Sequence, residues 1–318
     1  MHSAIAGTGS YLPKKILTNA ELEKMVDTTD EWIMKRVGVR NRHIVGDSGD
    51  TTVSMAEAAA RAAIVAANLA PNDIDLILVG TASPDQLFPS VACHIQKRLE
   101  ITNECAAFDV NAGCSGFIYV MNIADQYIRA GSAKHVLIVG ADTLSTVTDW
   151  TDRATCVLFG DGAGAAVLSA SDKPGILATH IHADGRYGDL LCAENALFSK
   201  TTNNYIKMQG REVFKVAVTK LGDIVDQTLE KAQLDKHDID WLIPHQANMR
   251  IIEAMAKRLD LPMEKVVLTI EEHGNTSAAS IPLALDFAVR KGQIKRGEKL
   301  LLEAFGAGFA WGSALIQY

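Results

Sequence analysis

The 318-residue chain is 48% hydrophobic and 22% charged. That is the composition of an ordinary globular protein with enough apolar material for one large domain or two of roughly 150 residues. A net charge of −7 argues against nonspecific nucleic-acid binding as the main task. The five cysteines (Cys93, Cys105, Cys114, Cys156, Cys192) are odd in number and form no Cys-x-x-Cys pair. This speaks against a disulfide framework or a structural zinc and fits a reducing cytoplasm.

The N-terminus lacks a basic segment followed by a long apolar one, so no signal peptide is expected. No apolar run approaches the ~20 residues that span a bilayer. The nearest, Ala58 to Ala67, is interrupted by Arg61 and closed by Asn68.

In chain order, residues 3–12 read as an opening strand. Residues 19–26 and 30–37 suit short helices, with Thr29 and Asp30 as candidate N-caps. Residues 52–69 form an Ala-rich helix stopped by Pro71, and residues 75–79 a buried strand. A loop after Ser83 carries Phe88, and residues 91–99 return to helix. The apolar stretch 106–108 runs through a small-residue turn into an amphipathic helix over 115–129. Strands are expected at 134–141, 156–160 and 165–169, the last two flanking a glycine turn at Gly160–Gly164. Asp172-Lys-Pro-Gly175 is the clearest boundary signal, dividing the chain into halves 1–172 and 173–318. Beyond it come a strand at 176–182, a loop-rich stretch at 185–209, and a helix at 213–232. A strand at 240–243, a helix at 248–259 and a strand at 266–270 follow. The chain ends with a helix at 277–290 and strands at 299–304 and 312–318.

The halves share a pattern. Asp73-Ile-Asp-Leu-Ile-Leu-Val-Gly80 aligns with Asp238-Ile-Asp-Trp-Leu-Ile-Pro-His245. Lys134-His-Val-Leu-Ile-Val-Gly-Ala141 aligns with Lys299-Leu-Leu-Leu-Glu-Ala-Phe-Gly306, and both pairs are 165 residues apart. An internal duplication of α/β units is expected, with equivalent strand ends converging on one centre.

Cys114 stands where the first small-residue turn meets a helix. Free N–H groups and the positive helix end lower a thiol's pKa there, whereas a free cysteine is otherwise a small buried apolar residue. In the second half, strand ends carry Pro244-His-Gln-Ala-Asn248, Glu271-Glu-His-Gly-Asn-Thr-Ser-Ala-Ala-Ser280 and Phe305-Gly-Ala-Gly-Phe309. If the halves superpose, Cys114 meets His245, Asn275 and the Gly306 backbone. A thiol, an imidazole and an amide without a carboxylate suit acyl transfer followed by carbon–carbon bond formation, His245 and Asn275 both donating to an enolate oxygen. The thiolate would be prepared by the helix end and the nearby imidazole. Structural readings stand beside this: Asn275 as a turn residue, Gly306 as a bulge, His273 as a packing histidine. His180 and His182 lack further ligands at zinc spacing.

Asn111-Ala-Gly-Cys-Ser-Gly116, Pro244-His-Gln-Ala-Asn-Met-Arg-Ile251, His273-Gly-Asn-Thr-Ser-Ala-Ala-Ser280 and Phe305-Gly-Ala-Gly308 together resemble the β-ketoacyl-acyl-carrier-protein synthase III family of the thiolase superfamily. Gly7-Thr-Gly-Ser-Tyr-Leu-Pro13 and Asp27-Thr-Thr-Asp-Glu-Trp-Ile33 are similar to it too. The resemblance spans essentially the whole chain. It implies a duplicated αβαβα five-layer fold with two pseudo-symmetric mixed sheets, a cytoplasmic homodimer, and the initiating condensation of bacterial type II fatty-acid synthesis. It implies that acetyl-CoA, a substrate rather than a resident cofactor, acylates Cys114. Malonyl-acyl-carrier protein then loses CO2 to an enolate held by His245 and Asn275, and the carbanion attacks the acyl-cysteine. The N–H groups of Cys114 and Gly306 form the oxyanion hole. No cofactor, metal, membrane or nucleic-acid partner is implied.

Carried over by motif, Trp32 and Arg153 clamp the adenine of coenzyme A. Thr28 assists, Arg36 meets the phosphates, Asn248 touches the pantetheine arm, and Gly210 lies at the same mouth. Arg250 with Lys257, and Arg211 with Lys215, are candidates for docking an acidic carrier protein, against the alternative of solvated helix faces. Phe88 is on the loop that in the family crosses the dimer and lines the acyl pocket. The rival readings are a starter ketosynthase of a secondary pathway, a 3-hydroxy-3-methylglutaryl-CoA synthase, and a catalytically silent paralogue that binds acyl chains or carrier protein.

Overall fold

The computed structural model describes residues 1–195 and 204–318, so part of the loop-rich stretch expected over 185–209 lies outside the described residues. Five strands form one mixed sheet in the spatial order His2–Tyr11, Asp161–Ser171, His135–Thr143, Leu76–Gly80, Ala106–Val110. Four form a second sheet in the order Ile176–Ala183, Ala310–Gln317, Lys299–Gly306, Trp241–Pro244. Each sheet starts with two antiparallel pairings and continues in parallel. In the second sheet the fifth position is filled by one parallel bridge, Leu242 to Val266.

Strand alternation builds the layers. Side chains two residues apart share a face. Leu76 and Leu78 enter a core with helices Gly116–Arg129 and Ser280–Arg290, to which Ile243, Leu300 and Leu302 of the other sheet also belong. Ile77 and Val79 face the opposite way, against helices Thr52–Ala66 and Val91–Arg98. Leu242 and Leu301 face outward beneath helices Gly210–Ala232 and Met249–Arg258. The result is helices, sheet, helices, sheet, helices. Strands covered on both faces need continuous apolar runs, and each fully buried Leu or Ile stabilises by about 1.5–3 kcal/mol relative to exposure.

The repeat has one irregularity. Leu76 pairs with Val136, and Trp241 pairs with Leu300. The first strands are thus offset by 165 residues and the second by 164, so the equal spacing read from the sequence slips by one in register.

Several elements differ from expectation. The glycine run is no turn: residues 156–158 form turns and Phe159 makes a single parallel bridge to Asn275, while Gly162 and Gly164 lie within strand Asp161–Ser171. These positions carry no side chain, and a Cβ on Gly164 would fall 2.7 Å from Leu283 N, so the strand presses directly on helix Ser280–Arg290. The helix expected over 19–26 ends at Leu22. The strand expected at 266–270 gives way to the helical turn Ile270–His273. Thr29, not Asp30, is the N-cap, and its hydroxyl accepts the Trp32 N–H at 3.1 Å. No helix among the described residues is long and apolar enough to cross a membrane.

Candidate active site

The Cys114 elbow follows strand Ala106–Val110. Gly113 takes φ +52, a left-handed conformation that favours glycine, and opens the single 3-10 turn Gly113–Ser115 ahead of helix Gly116–Arg129. The Ser115 hydroxyl donates to the Ala310 carbonyl at 2.8 Å and ties the elbow to the second half. Gly306 closes over the cysteine: a Cβ there would lie 2.5 Å from Cys114 N and 3.1 Å from its Cβ. Only glycine lets the two backbones meet.

His245 follows strand Trp241–Pro244, and its N–H donates to the Glu303 carbonyl at 2.7 Å. Gln246 is fully buried and fixes the loop. Its amide nitrogen donates to the carbonyls of Pro244 and Val267, and its oxygen accepts the N–H groups of Thr269 and Ile270. The His245 Nδ1 lies 2.6 Å from the Ser280 hydroxyl, which also accepts the Gln246 N–H at 3.4 Å. No other acceptor for the Ser280 proton lies among the described residues, so the hydroxyl donates to Nδ1. The network therefore assigns the imidazole proton to Nε2, the nitrogen not held by Ser280.

Asn275 is pinned to the first half. Its N–H donates to Leu158 O at 2.9 Å and its carbonyl accepts Gly160 N–H at 3.0 Å. Its side-chain oxygen accepts the Ser277 N–H at 2.9 Å, which leaves the amide N–H2 as the donor for the cavity. Ser277, at φ +53, is a non-glycine residue in the left-handed region and is held there by this bond.

Burial governs the electrostatics. The Cys114 thiol is pushed up to about 11 by desolvation, eased by a hydrogen bond from Ser277 and raised further by Asp142. This corrects the expectation of a thiol lowered by the helix end and the imidazole. The positive helix end is outweighed, and His245 is neutral, since burial holds its pKa down at about 3. A neutral imidazole with its proton on Nε2 is a hydrogen-bond donor, not a cation that stabilises a thiolate.

One cavity of about 690 Å³ holds these groups. Cys114, His245 and Asn275 line it together with Glu303 and Phe305. Trp32, Arg36, Arg153, Asn248, Gly210, Arg211, Lys215 and Arg250 also line it. The basic residues among these are exposed and form its mouth. Arg153 lies over the Trp32 ring at 4.9 Å and Arg36 at 5.8 Å, within cation–π range. Arg153 is anchored by donating to the Asp27 carbonyl at 2.8 Å. Arg250 lies over Phe214 at 5.2 Å.

Thr28, Lys257 and Phe88 are not on the cavity lining. Thr28 follows the Asp27 anchor and its buried hydroxyl has no partner among the described residues. Lys257 is exposed on helix Met249–Arg258, and Phe88 is 82% exposed at a loop tip. Sequence reasoning passed over Ser277, Ser280, Asp142 and Glu303. Only Glu303 left a visible signal, a single carboxylate inside an apolar strand.

Family models for 3-oxoacyl-[acyl-carrier-protein] synthase III match residues 108–185, and for the C-terminal part of that enzyme residues 229–318. The chain is 60% identical to the β-ketoacyl-[acyl-carrier-protein] synthase III of Coxiella burnetii over 316 residues, 99% of each chain. The 3-oxoacyl-[acyl-carrier-protein] synthase III of Aquifex aeolicus superposes with a TM-score of 0.94 at 48% identity, covering 99% of this chain and 100% of that one. A priming β-ketosynthase of a polyketide pathway superposes with a TM-score of 0.94 at 36% identity, covering 99% and 96%. Full-length identity at this level, on a fold whose cysteine, histidine and asparagine share one cavity, shows that the chain belongs to the β-ketoacyl-acyl-carrier-protein synthase III family.

Proposed function

We propose that this chain joins an acetyl group from acetyl-CoA to malonyl-acyl-carrier protein, with Cys114 carrying the acetyl group between the two. As a family member it is an acyltransferase, the initiating condensing enzyme of fatty-acid synthesis. The carrying observation for the residue roles is that Cys114, His245 and Asn275 line one cavity whose mouth bears Trp32 and Arg153.

In the first step the Cys114 sulfur attacks the thioester carbonyl. The oxyanion is received by the Cys114 and Gly306 N–H groups, and coenzyme A leaves as a thiol carrying the proton that Cys114 gave up. One thiol replaces another, so the step has no net demand for a strong base even with a thiol near 11. In the second step the malonyl C–C bond breaks to CO2, and its electron pair forms an enolate. The His245 Nε2–H and the Asn275 N–H2 hold the enolate oxygen. The enolate carbon attacks the acetyl carbonyl, the Cys114 sulfur leaves, and it takes a proton from solvent. Decarboxylation makes the nucleophile, so no carbon-bound proton need be abstracted.

Purified chain given acetyl-CoA and then malonyl-acyl-carrier protein should release coenzyme A, then CO2 and acetoacetyl-acyl-carrier protein in equal amounts. Acceptance of acetoacetyl-CoA in place of the malonyl substrate would favour 3-hydroxy-3-methylglutaryl-CoA synthesis instead. The likeness to a polyketide priming enzyme keeps one second reading, separated by a panel of acyl-CoA starters. Preference for long or branched starters over acetyl would favour it.

The two substrates should be separable at the mouth. Arg153→Ala removes the guanidinium over Trp32 and should raise the KM for acetyl-CoA about 3- to 10-fold, the scale of a cation–π contact with partial desolvation. Arg250→Glu should raise the KM for malonyl-carrier protein at least about tenfold, with a weaker salt dependence, by reversing charge complementarity. Equal changes in both KM values for both variants would refute this division. For the homodimer, light scattering should report twice the chain mass. Phe88→Ala should shift acyl-length preference if Phe88 enters the partner's pocket, and a monomer with unchanged preference would remove that role.

A further inference from the structure

Glu303 is an anomaly. It sits mid-strand in Lys299–Gly306, between Pro244 on one neighbouring strand and Ser313 on the other. It is 1% exposed, and neither carboxyl oxygen has a hydrogen-bond partner among the described residues. Leu301 and Phe305, which share its face, belong to the apolar cluster with Leu221, Ile224 and Ile251. Yet Glu303 lines the same cavity as Cys114, His245 and Asn275, and its own carbonyl accepts the His245 N–H.

The neighbours do not neutralise it. Helix Gly210–Ala232 places Ala217 and Leu221 on the cavity wall, and its Thr228 hydroxyl is engaged with Ser313 and the Ile224 carbonyl. Helix Met249–Arg258 contributes Ile251 and, at the mouth, Arg250. Strand Trp241–Pro244 offers only Pro244 there, and Ser313 on the other strand is spent on Thr228 and Ile224. The titratable groups on the cavity floor are Cys114 and His245. Arg36, Arg153, Arg211 and Lys215 stand at the exposed rim. An unpaired buried carboxylate is costly, so such a group stays protonated. Burial pushes Glu303 up to about 8.

We propose that Glu303 governs admission of the carboxylated second substrate: as a neutral acid it leaves the cavity floor free of negative charge, and as an anion it repels the incoming carboxylate. This rests on the reading that a malonyl thioester is the condensing partner. The acetyl end of the first substrate carries no carboxylate, so its admission lacks this charge–charge repulsion. The dependence has a fixed sign. Below about pH 8 Glu303 is neutral and the malonyl step proceeds; above it, Glu303 ionises and the step declines. Cys114 is blocked by its acetyl group in that step, and His245 is neutral throughout. Asp142, which also acts on Cys114, is raised by burial but lies behind the lining, and Glu303 is then the lining group left to titrate.

The test follows both half-reactions from pH 6.5 to 9.5 with the full chain, using malonyl-pantetheine so that carrier-protein docking plays no part. The expected result is a loss of malonyl decarboxylation by the acetylated enzyme, about tenfold per pH unit above pH 8. Acetyl transfer to Cys114 should show no such fall. In E303Q, which keeps size and loses ionisation, the malonyl decarboxylation rate of the acetylated enzyme should itself be flat over this range. An unaltered alkaline fall in E303Q, or a parallel fall in acetyl transfer, overturns the proposal. A readout independent of any variant is the inhibition of the native enzyme by an unreactive carboxylated thioether and by its uncharged amide. The ratio of their inhibition constants should rise about tenfold per pH unit above 8, and a constant ratio overturns the proposal. Absence of malonyl turnover at every pH would refute the underlying reading instead.

Discussion

Cys114→Ala should take up no acetyl group from acetyl-CoA and should lose condensation by at least ~10,000-fold, the scale seen when a nucleophile that acts as part of a unit is removed. The substitution deletes one sulfur from an elbow whose backbone is fixed independently, by Gly113 at φ +52, by the Ser115 bond to Ala310 O and by contact with Gly306. The fold should therefore survive, which circular dichroism and thermal unfolding can verify. The variant keeps His245 and Asn275, so it should still release CO2 from malonyl-acyl-carrier protein without forming a carbon–carbon bond. Mass spectrometry of the intact chain and a CO2-release assay report the two halves of this result. Acetylation persisting at another cysteine with full turnover would remove Cys114 as the nucleophile. Among the other candidates, Cys156 is buried and burial raises it to about 11 as well.

The architecture and the meeting of Cys114, His245 and Asn275 in one cavity were legible because they rest on short-range signals. Apolar strand runs, the small-residue turn before Cys114 and the polar loops after Ile243 and Ala304 each announce themselves locally. Their meeting followed from duplication, which places strand ends of both halves together. The one-residue slip between the two repeats escaped detection because apolar strands look alike in either register when both faces are buried. Gly160–Gly164 misled for a related reason. Glycine marks a turn in isolation, but here bare strand positions receive helix Ser280–Arg290, a long-range packing fact that no local pattern carries. The short helix Ile270–His273 arose where Gln246 Oε1 accepts the N–H groups of Thr269 and Ile270 and draws the chain off the strand path.

Charge states were the least legible feature. A helix N-terminus predicts a lowered thiol pKa, and an unshielded thiol would follow that rule. In the folded chain desolvation is the largest influence on Cys114, His245 and Glu303 alike, driving all three toward neutrality. A neutral His245 keeps the donor part expected of it toward an enolate and loses only the expected part in preparing a thiolate. The shared neutrality also gives one physical reason for both proposed steps: a floor without standing charge suits a thioester exchange that needs no net base, and an enolate whose charge exists only transiently. Hydrogen-bond donors fixed in such an environment act most strongly on charge that develops during reaction.

That neutrality makes the second large prediction specific. His245→Ala and Asn275→Ala should each leave acetyl transfer to Cys114 within about threefold of the native rate. Each should slow malonyl decarboxylation by about 100- to 1,000-fold, the cost of removing one pre-placed oxyanion donor, near 2.7–4 kcal/mol. His245→Gln, which restores an N–H donor, should recover part of the loss. It could recover none if the imidazole served as a base. The pH profile separates the same alternatives. With His245 held down at about 3, the native decarboxylation rate should show no break near pH 6.5, where an ordinary histidine titrates. Ser280→Ala would free Nδ1 from its 2.6 Å partner and let the proton move to either nitrogen. It should therefore slow decarboxylation about twofold through the lost tautomer preference, and up to about tenfold with the lost orientation, while sparing acetyl transfer. Loss of both half-reactions in equal measure across His245→Ala, Asn275→Ala and Ser280→Ala would show that the trio acts on the thiol, and the assignment of His245 and Asn275 to the enolate would fall.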